Sequence, residues 1–294
     1  MRLLIFGKHG QLGRELWRLS QPLGEVTALD IEDLDLCDEQ ALRQRIHLLK
    51  PNVILNAAAY TGVDRAEQEP GPARQINAVA PGIMAECARN LKAVLVHYST
   101  DYVFDGTKNS PYTEEDVPNP INTYGQTKLE GEQAVLAAGG TSLILRTSWV
   151  YSLYGESFVK KVLYWSRQQE TMRIVNDQVG SPTWAVMLAQ STISILRSGG
   201  KDPYDRLKEK KGIYHLAGRG SASRYEWAQA ILAADPHPEE QVCTRLEPAF
   251  SAEFPAPARR PAFSALDCNK VESAFNIILR DWKTDLKAAL SQEI

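Results

Sequence analysis

The sequence predicts an α/β protein, a doubly wound parallel sheet followed by a smaller mixed α/β domain towards the C-terminus. Three observations carry that reading. A short apolar run opens the chain and meets a glycine-rich turn at Gly7. Short apolar runs then alternate with helical spacing up to about residue 148, which builds a parallel sheet with helices on both faces. Beyond that point the alternation fades. The length of 294 residues allows one large α/β domain or two modest ones, with ample core and no need of disulfide or metal staples.

The elements follow in order. Residues 3–6 read as a buried strand, 7–13 as a tight turn, and a helix starts at about residue 11. Residues 25–29 form a second strand ending at Asp30, 38–49 have helical spacing, and 53–55 form a third strand opening after Pro51. Residues 73–90 are helical, with a break or restart expected near Pro81. Residues 93–97 give a fourth strand, 124–136 a helix and 142–146 a fifth strand, joined by right-handed crossovers. After Trp149, residues 158–167, 184–197, 225–234 and 281–291 read as helices. Charge-dense residues 201–211 with Pro203, and residues 248–261 with four prolines, read as loops. This assigns residues 1–148 to the first domain, with parts of 183–217 returning to it, and 149–294 mainly to the second.

Composition excludes several classes. Thirty-three Lys+Arg against 36 Asp+Glu, a formal charge of −3, argue against a nucleic-acid binder. No apolar run reaches the length of a membrane span. The run before Gly7 is too short for a signal peptide, which implies a cytoplasmic location. Cys37, Cys87, Cys243 and Cys268 form no CxxC pair and the five histidines are scattered, so reduced thiols and no metal site are expected.

Two motifs carry chemistry. Gly7-Lys8-His9-Gly10-Gln11-Leu12-Gly13 is a GxxGxxG. Glycines there permit a tight turn and a close approach to a pyrophosphate, which the helix N-terminus attracts through its N–H groups and dipole. A glycine turn alone need bind nothing; its place between the first strand and the first helix makes it a dinucleotide site. Asp30 lies about 20 residues further on, at a strand end, where an acid binds ribose hydroxyls or simply caps a turn. Such an acid favours NADH, whereas Lys8 or Arg14 beside a 2′-phosphate would favour NADPH, so the residues leave NADPH or NADH open. Tyr124-Gly125-Gln126-Thr127-Lys128 is a YxxxK whose ends share a helix face. A nearby ammonium lowers a phenol's pKa and lets it exchange a proton with a substrate oxygen. Thr100, just past the fourth strand, is placed to hold that oxygen. Tyr204 and Lys208 repeat the spacing inside the charged loop, with no strand before them, and read as a chance match.

With these motifs, Asn56-Ala57-Ala58-Ala59-Tyr60-Thr61, Val63-Asp64, Ala66-Glu67, the segment from His97 to Gly106 and Arg146-Thr147-Ser148-Trp149-Val150-Tyr151, the chain resembles the extended short-chain dehydrogenase/reductase family along nearly its whole length. It is most similar to the branch that reduces the C4 ketone of dTDP-4-dehydro-β-L-rhamnose. The resemblance implies a Rossmann-type fold, NADPH or NADH as cofactor, and a dTDP-linked 4-keto-6-deoxy sugar as substrate. It implies that Gly7, Gly10, Gln11, Leu12 and Gly13 serve the pyrophosphate and Asp30 the ribose. Asp35 and Leu36 would border the adenine, and Ala59, Tyr60 and Thr61 would line the cofactor. Thr100, Tyr124 and Lys128 would be catalytic, Tyr124 and Lys128 also meeting the cofactor. Thr100, Asp101 and Trp149 would touch the sugar, and Arg259 or Arg260, beside Ser264, would grip the diphosphate, a task that suits the forked guanidinium.

Some members bind Mg²⁺ at a dimer contact through acids. Glu15 matches one position, but Val186 stands where the other acid belongs, so Mg²⁺ is not expected, a homodimer would have to form without it, and Glu15 reads as a solvated helix residue. A 4,6-dehydratase needs glutamate after Thr100-Asp101, where this chain has Tyr102, and the segment 148–151 argues against an epimerase. A reductase of another nucleotide-linked 4-keto sugar stays open. So does a non-catalytic protein like the regulatory subunit of methionine adenosyltransferase, against which Thr100 and residues 146–151 speak.

Overall fold

In the computed structural model, which describes residues 1–197 and 202–291, the core is a six-stranded parallel sheet. Its strands are β1 (Arg2–Phe6), β2 (Glu25–Leu29), β3 (Val53–Asn56), β4 (Val94–Thr100) and β5 (Thr141–Thr147). Two further strands, β6 (Thr171–Val175) and β8 (Arg245–Ala249), pair with each other outside the sheet. Between them in sequence, β7 (Gly212–His215) returns to the sheet edge, giving the order β7-β5-β4-β3-β1-β2. β3, β4 and β5 are buried at every position, as strands covered on both faces must be.

The period of two sorts the strand residues into two cores. Leu3, Ile5, Val53, Leu55, Val94 and Val96 pack on one face with Leu12 and Leu16 of helix α1 (Gln11–Ser20). Leu4, Phe6, Ile54 and Leu95 pack on the other with Leu42 and Ile46 of α2 (Glu39–Leu49) and Ile83 and Met84 of α3 (Ala80–Leu91). Each fully buried side chain of this kind contributes about 1.5–3 kcal/mol. The connection to β1 changes side between β1 and β3, and the carboxyl ends of these two strands open the crevice used below.

Several expectations change. The stretch 70–91 is not broken at Pro81. Residues Pro70–Arg74 are α-helical, Gln75–Val79 form a π turn in which the Ala80 N–H reaches back to the Gln75 carbonyl, and α3 continues through the proline. The wider turn accommodates a residue with no N–H to donate. The expected loop at 201–211 contains a helix, Pro203–Leu207, capped by the Asp202 side chain and anchored by buried Leu207, and a 3₁₀ turn at Lys208–Lys210; Lys201 lies outside the described residues. The proline-rich loop starts later than expected, because Pro248 lies within β8. That strand has only β6 as neighbour, so proline's missing donor costs the ladder nothing on the open side. Helix α4 (Thr123–Ala138) joins β4 to β5, and the second half contributes helices α5 (Phe158–Ser166), α6 (Ala185–Arg197), α7 (Arg224–Ala233) and α8 (Trp282–Leu290).

Glu15 is not freely solvated, since it accepts from Arg18 at 2.6 Å and is largely shielded. Val186 and Trp184 are both buried in the core. All four cysteines are free thiols. Among the described residues no cluster of three or more His, Cys, Asp or Glu is placed to hold a metal, and no helix is long and apolar enough to cross a membrane.

Candidate active site

Two cavities adjoin at the carboxyl edge of the sheet, and a third lies on the far side of Trp149 and Arg224. The first, about 220 Å³, is bordered by Phe6, Asp30, Asp35, Leu36 and Ala59. The second, about 570 Å³, runs from Gly7, Gly10, Gln11 and Leu12 past Ala59 and Thr61 to Thr100, Tyr124, Lys128 and Trp149. The third, about 590 Å³, lies under the 251–260 segment and is lined by Phe158, Arg173, Arg224, Phe254, Arg259 and Arg260.

The glycine turn fits a dinucleotide phosphate. Gly7 has φ +86°, and a Cβ there would stand 2.8 Å from the Ala58 nitrogen. A Cβ on Gly13 would stand 1.8 Å from the Gly7 carbonyl oxygen, so Gly13 serves the close packing of α1 rather than the cavity wall. Helix α1 begins at Gly10 with no side-chain cap and no acid in its first turn, which leaves its N-terminal dipole to an external anion. Asp30 directly follows β2, and its carboxylate accepts from the His9 and Ile31 backbone nitrogens at 2.8 and 2.9 Å. Lys8 is not free to offset it, being paired with Asp33 at 2.6 Å and Glu32 at 3.0 Å. Arg14 stacks on Tyr154 at 3.9 Å. Tyr60 turns its ring out of the cavity: its hydroxyl donates to Glu69 at 2.6 Å, while its backbone N–H and carbonyl are held by buried Asn77.

The second cavity gathers Thr100, Tyr124 and Lys128. Thr100 is the last residue of β4, and its hydroxyl accepts from the Tyr102 N–H and donates to Asp101, each at 3.1 Å. Tyr124 sits in the first turn of α4, whose cap is Asn122 accepting from the Gly125 N–H. Tyr102 meets the Tyr124 ring edge-on at 5.8 Å. Desolvation raises the Tyr124 pKa above the ordinary phenol range, and a hydrogen bond with Thr100 offsets part of that rise. Lys128, one turn along, is fully buried and donates to the Tyr98 carbonyl at 2.6 Å. Burial lowers its pKa to about 8, with Glu132 opposing the shift. The expected lowering of the phenol's pKa by Lys128 is not what the surroundings give: desolvation dominates, with Asp101 and Tyr102 adding to the rise.

Asp101 is 2% exposed, and its carboxylate is engaged by the hydroxyls of Thr100, Ser148 and Ser264, the last two at 2.9 and 2.6 Å. It lines the same cavity as Thr100, with its carboxylate held by these hydroxyls. Trp149 adopts φ +45°, an uncommon conformation for a bulky residue. It is held there by Trp227 stacked at 5.6 Å and the Arg224 guanidinium 3.6 Å above its ring. The same ring lies against Gly180, where a Cβ would stand 2.5 Å from it. Arg224 and Trp149 thus form the wall between the second and third cavities. Arg259 and Arg260 both line the third cavity, and Arg260 is bound bidentately to Asp64, at 3.0 and 2.6 Å. Sequence reasoning missed Arg224, Asn77 and Gly180, which carry no motif and gain meaning only from residues far away in the chain.

Residues 1–294 match the family described as the RmlD substrate binding domain. The chain belongs to this family. A dTDP-4-dehydrorhamnose reductase of Burkholderia thailandensis is 40% identical over 96% of each chain. A probable dTDP-4,6-dihydroxy-2-methyloxan-3-one 4-ketoreductase of Streptomyces antibioticus is 39% identical, over 98% of this chain and 94% of that one. The crystal structure of dTDP-4-dehydrorhamnose reductase from Bacillus anthracis in complex with NADP superposes with a TM-score of 0.89, at 32% identity and 99% coverage of both chains. Family membership thus accords with the fold and with the glycine turn and YxxxK that opened the reading.

Proposed function

We propose that this chain reduces the C4 ketone of dTDP-4-dehydro-β-L-rhamnose to dTDP-L-rhamnose. The observation that carries the proposal is that Thr100, Tyr124 and Lys128 line one cavity with the uncapped glycine turn. NADPH or NADH, when bound, supplies the hydride. Tyr124 holds the proton that the developing alkoxide needs, and its raised pKa keeps that proton in place at neutral pH. Thr100 turns its hydroxyl from Asp101 to the substrate oxygen, while the Tyr102 N–H keeps the Thr100 oxygen fixed. Lys128, anchored on the Tyr98 carbonyl and lining the same cavity, would hold the cofactor ribose. The third cavity takes the nucleotide, with Arg259 directed to its diphosphate and Phe158 and Phe254 to its base. Residues 1–148 with parts of 183–217 serve the cofactor and residues 149–294 mainly the substrate, in a cytoplasmic enzyme.

The test is absorbance of the nicotinamide with the purified protein and dTDP-4-dehydro-β-L-rhamnose, run with NADPH and NADH in parallel. Substrate-dependent oxidation supports the reading; cofactor binding without oxidation contradicts it. The Streptomyces relative favours a second reading, reduction of another dTDP-linked 4-keto sugar, and a panel of such sugars in the same assay separates the two.

A further inference from the structure

Asp64 and Glu67 belong to the motifs that carried the family resemblance, yet neither borders the three cavities described above. Their contacts run outward from the loop after β3, the loop whose Ala59 and Thr61 line the cofactor cavity. Asp64, in the one-turn helix Val63–Ala66, accepts from the Ala258 N–H at 3.1 Å and from both terminal nitrogens of Arg260. Arg260 in turn donates to the Ala258 carbonyl at 2.9 Å, closing a turn around Arg259. The Arg259 carbonyl accepts from Asn122, the cap of the helix that bears Tyr124. Glu67 receives the N–H and hydroxyl of Thr123, at 2.8 and 2.9 Å, at the start of that same helix. One short segment therefore ties the cofactor wall to the substrate strap and to the catalytic helix.

We propose that Asp64 is a positioning residue that couples the two binding sites. It clamps residues 258–260 to the cofactor loop, so that a bound cofactor presents Arg259 to the nucleotide diphosphate. The Asp64 and Arg260 side chains are 43% and 26% exposed. A pair this open adds little to stability, whereas its bidentate geometry fixes orientation well. The proposal rests on the nucleotide-sugar reading above. Any coupling is reciprocal: the cofactor tightens nucleotide binding by the factor by which the nucleotide tightens cofactor binding.

The experiment is calorimetric titration of dTDP, with and without saturating NADPH, into the wild type, Asp64→Asn and Asp64→Glu. In the wild type NADPH should tighten dTDP binding by about fivefold or more. In Asp64→Asn that factor should fall below about twofold while NADPH alone binds within about twofold of wild type, which also shows the variant folded; Asp64→Glu should restore most of the coupling. In the reductase assay KM for the keto sugar should rise about tenfold in Asp64→Asn, with kcat changing less. Wild-type coupling in Asp64→Asn, no coupling in the wild type, or equal weakening of NADPH and dTDP in Asp64→Asn would each overturn the proposal. A wild type that binds NADPH but no dTDP would instead overturn the nucleotide-sugar reading, and this proposal with it.

Discussion

Tyr124 and Lys128 show how far a motif reaches. Their four-residue spacing placed both on one helix face, and the structure sets them together with Thr100. What the motif does not contain is their solvation. Desolvation keeps Tyr124 protonated and brings Lys128 down to about 8. Tyr124→Phe should lower turnover by about 10²–10⁴-fold, the size of a lost general acid, and leave NADPH affinity nearly unchanged in a fluorescence titration. Lys128 loses its charge as pH rises through about 8, so kcat should decline above that pH. A rate that stays flat to pH 10 would show that the ammonium is not needed. Trp149 was named from its motif, but its φ of +45° and the Arg224 above it had no sequence signal, because that contact joins residues 75 positions apart.

Helix α4 is fastened to the sheet by a buried ion pair as well as by apolar packing. Glu132 and Arg146 on β5 are joined at 2.9 and 2.6 Å, are almost fully buried, and Glu132 also accepts from Ser99 beside Thr100. Glu132→Gln leaves the Arg146 charge uncompensated and should cost about 3–5 kcal/mol in chemical denaturation. A loss below about 1 kcal/mol would show that the pair is not holding the helix. The first-half elements were legible because short apolar runs alternate there with helical spacing. β6 and β8 were not: they stand outside that alternation, they form only a two-stranded ribbon, and Pro248 disguises β8. The π turn at Gln75–Val79 was likewise hidden, since the proline that marks it also reads as a break. That turn delivers Asn77, which donates to Thr127 of α4 at 3.1 Å and fixes the Tyr60 backbone.

At the scale of the whole molecule, β7 closes the sheet from a point 65 residues beyond the end of β5, counting from Thr147 to Gly212. From sequence, parts of residues 183–217 return to the first domain with no strand marked there; the strand is β7, which with its buried His215 covers the edge of β5. His215 donates through Nδ1 towards the Tyr112 and Asp267 carbonyls, and burial holds its pKa at about 3. Unfolded, the same group binds a proton below about 6.5. Between those values the unfolded chain carries the extra proton, so this contribution to stability is lost as pH falls from 6.5 towards 3. The thermal midpoint should therefore fall over that interval by more in the wild type than in His215→Gln. An equal fall in both would remove His215 from the acid response.

Catalysis by Tyr124 on a C4 ketone is the central claim, and isotope transfer tests it most directly. The protein is incubated with dTDP-4-dehydro-β-L-rhamnose and nicotinamide cofactor deuterated at the reactive C4 position of its ring, prepared in both configurations. The account predicts deuterium at C4 of the product sugar from one configuration only, and none in the Tyr124→Phe variant over the same interval. Deuterium elsewhere in the sugar, or undiminished transfer by Tyr124→Phe, would contradict it.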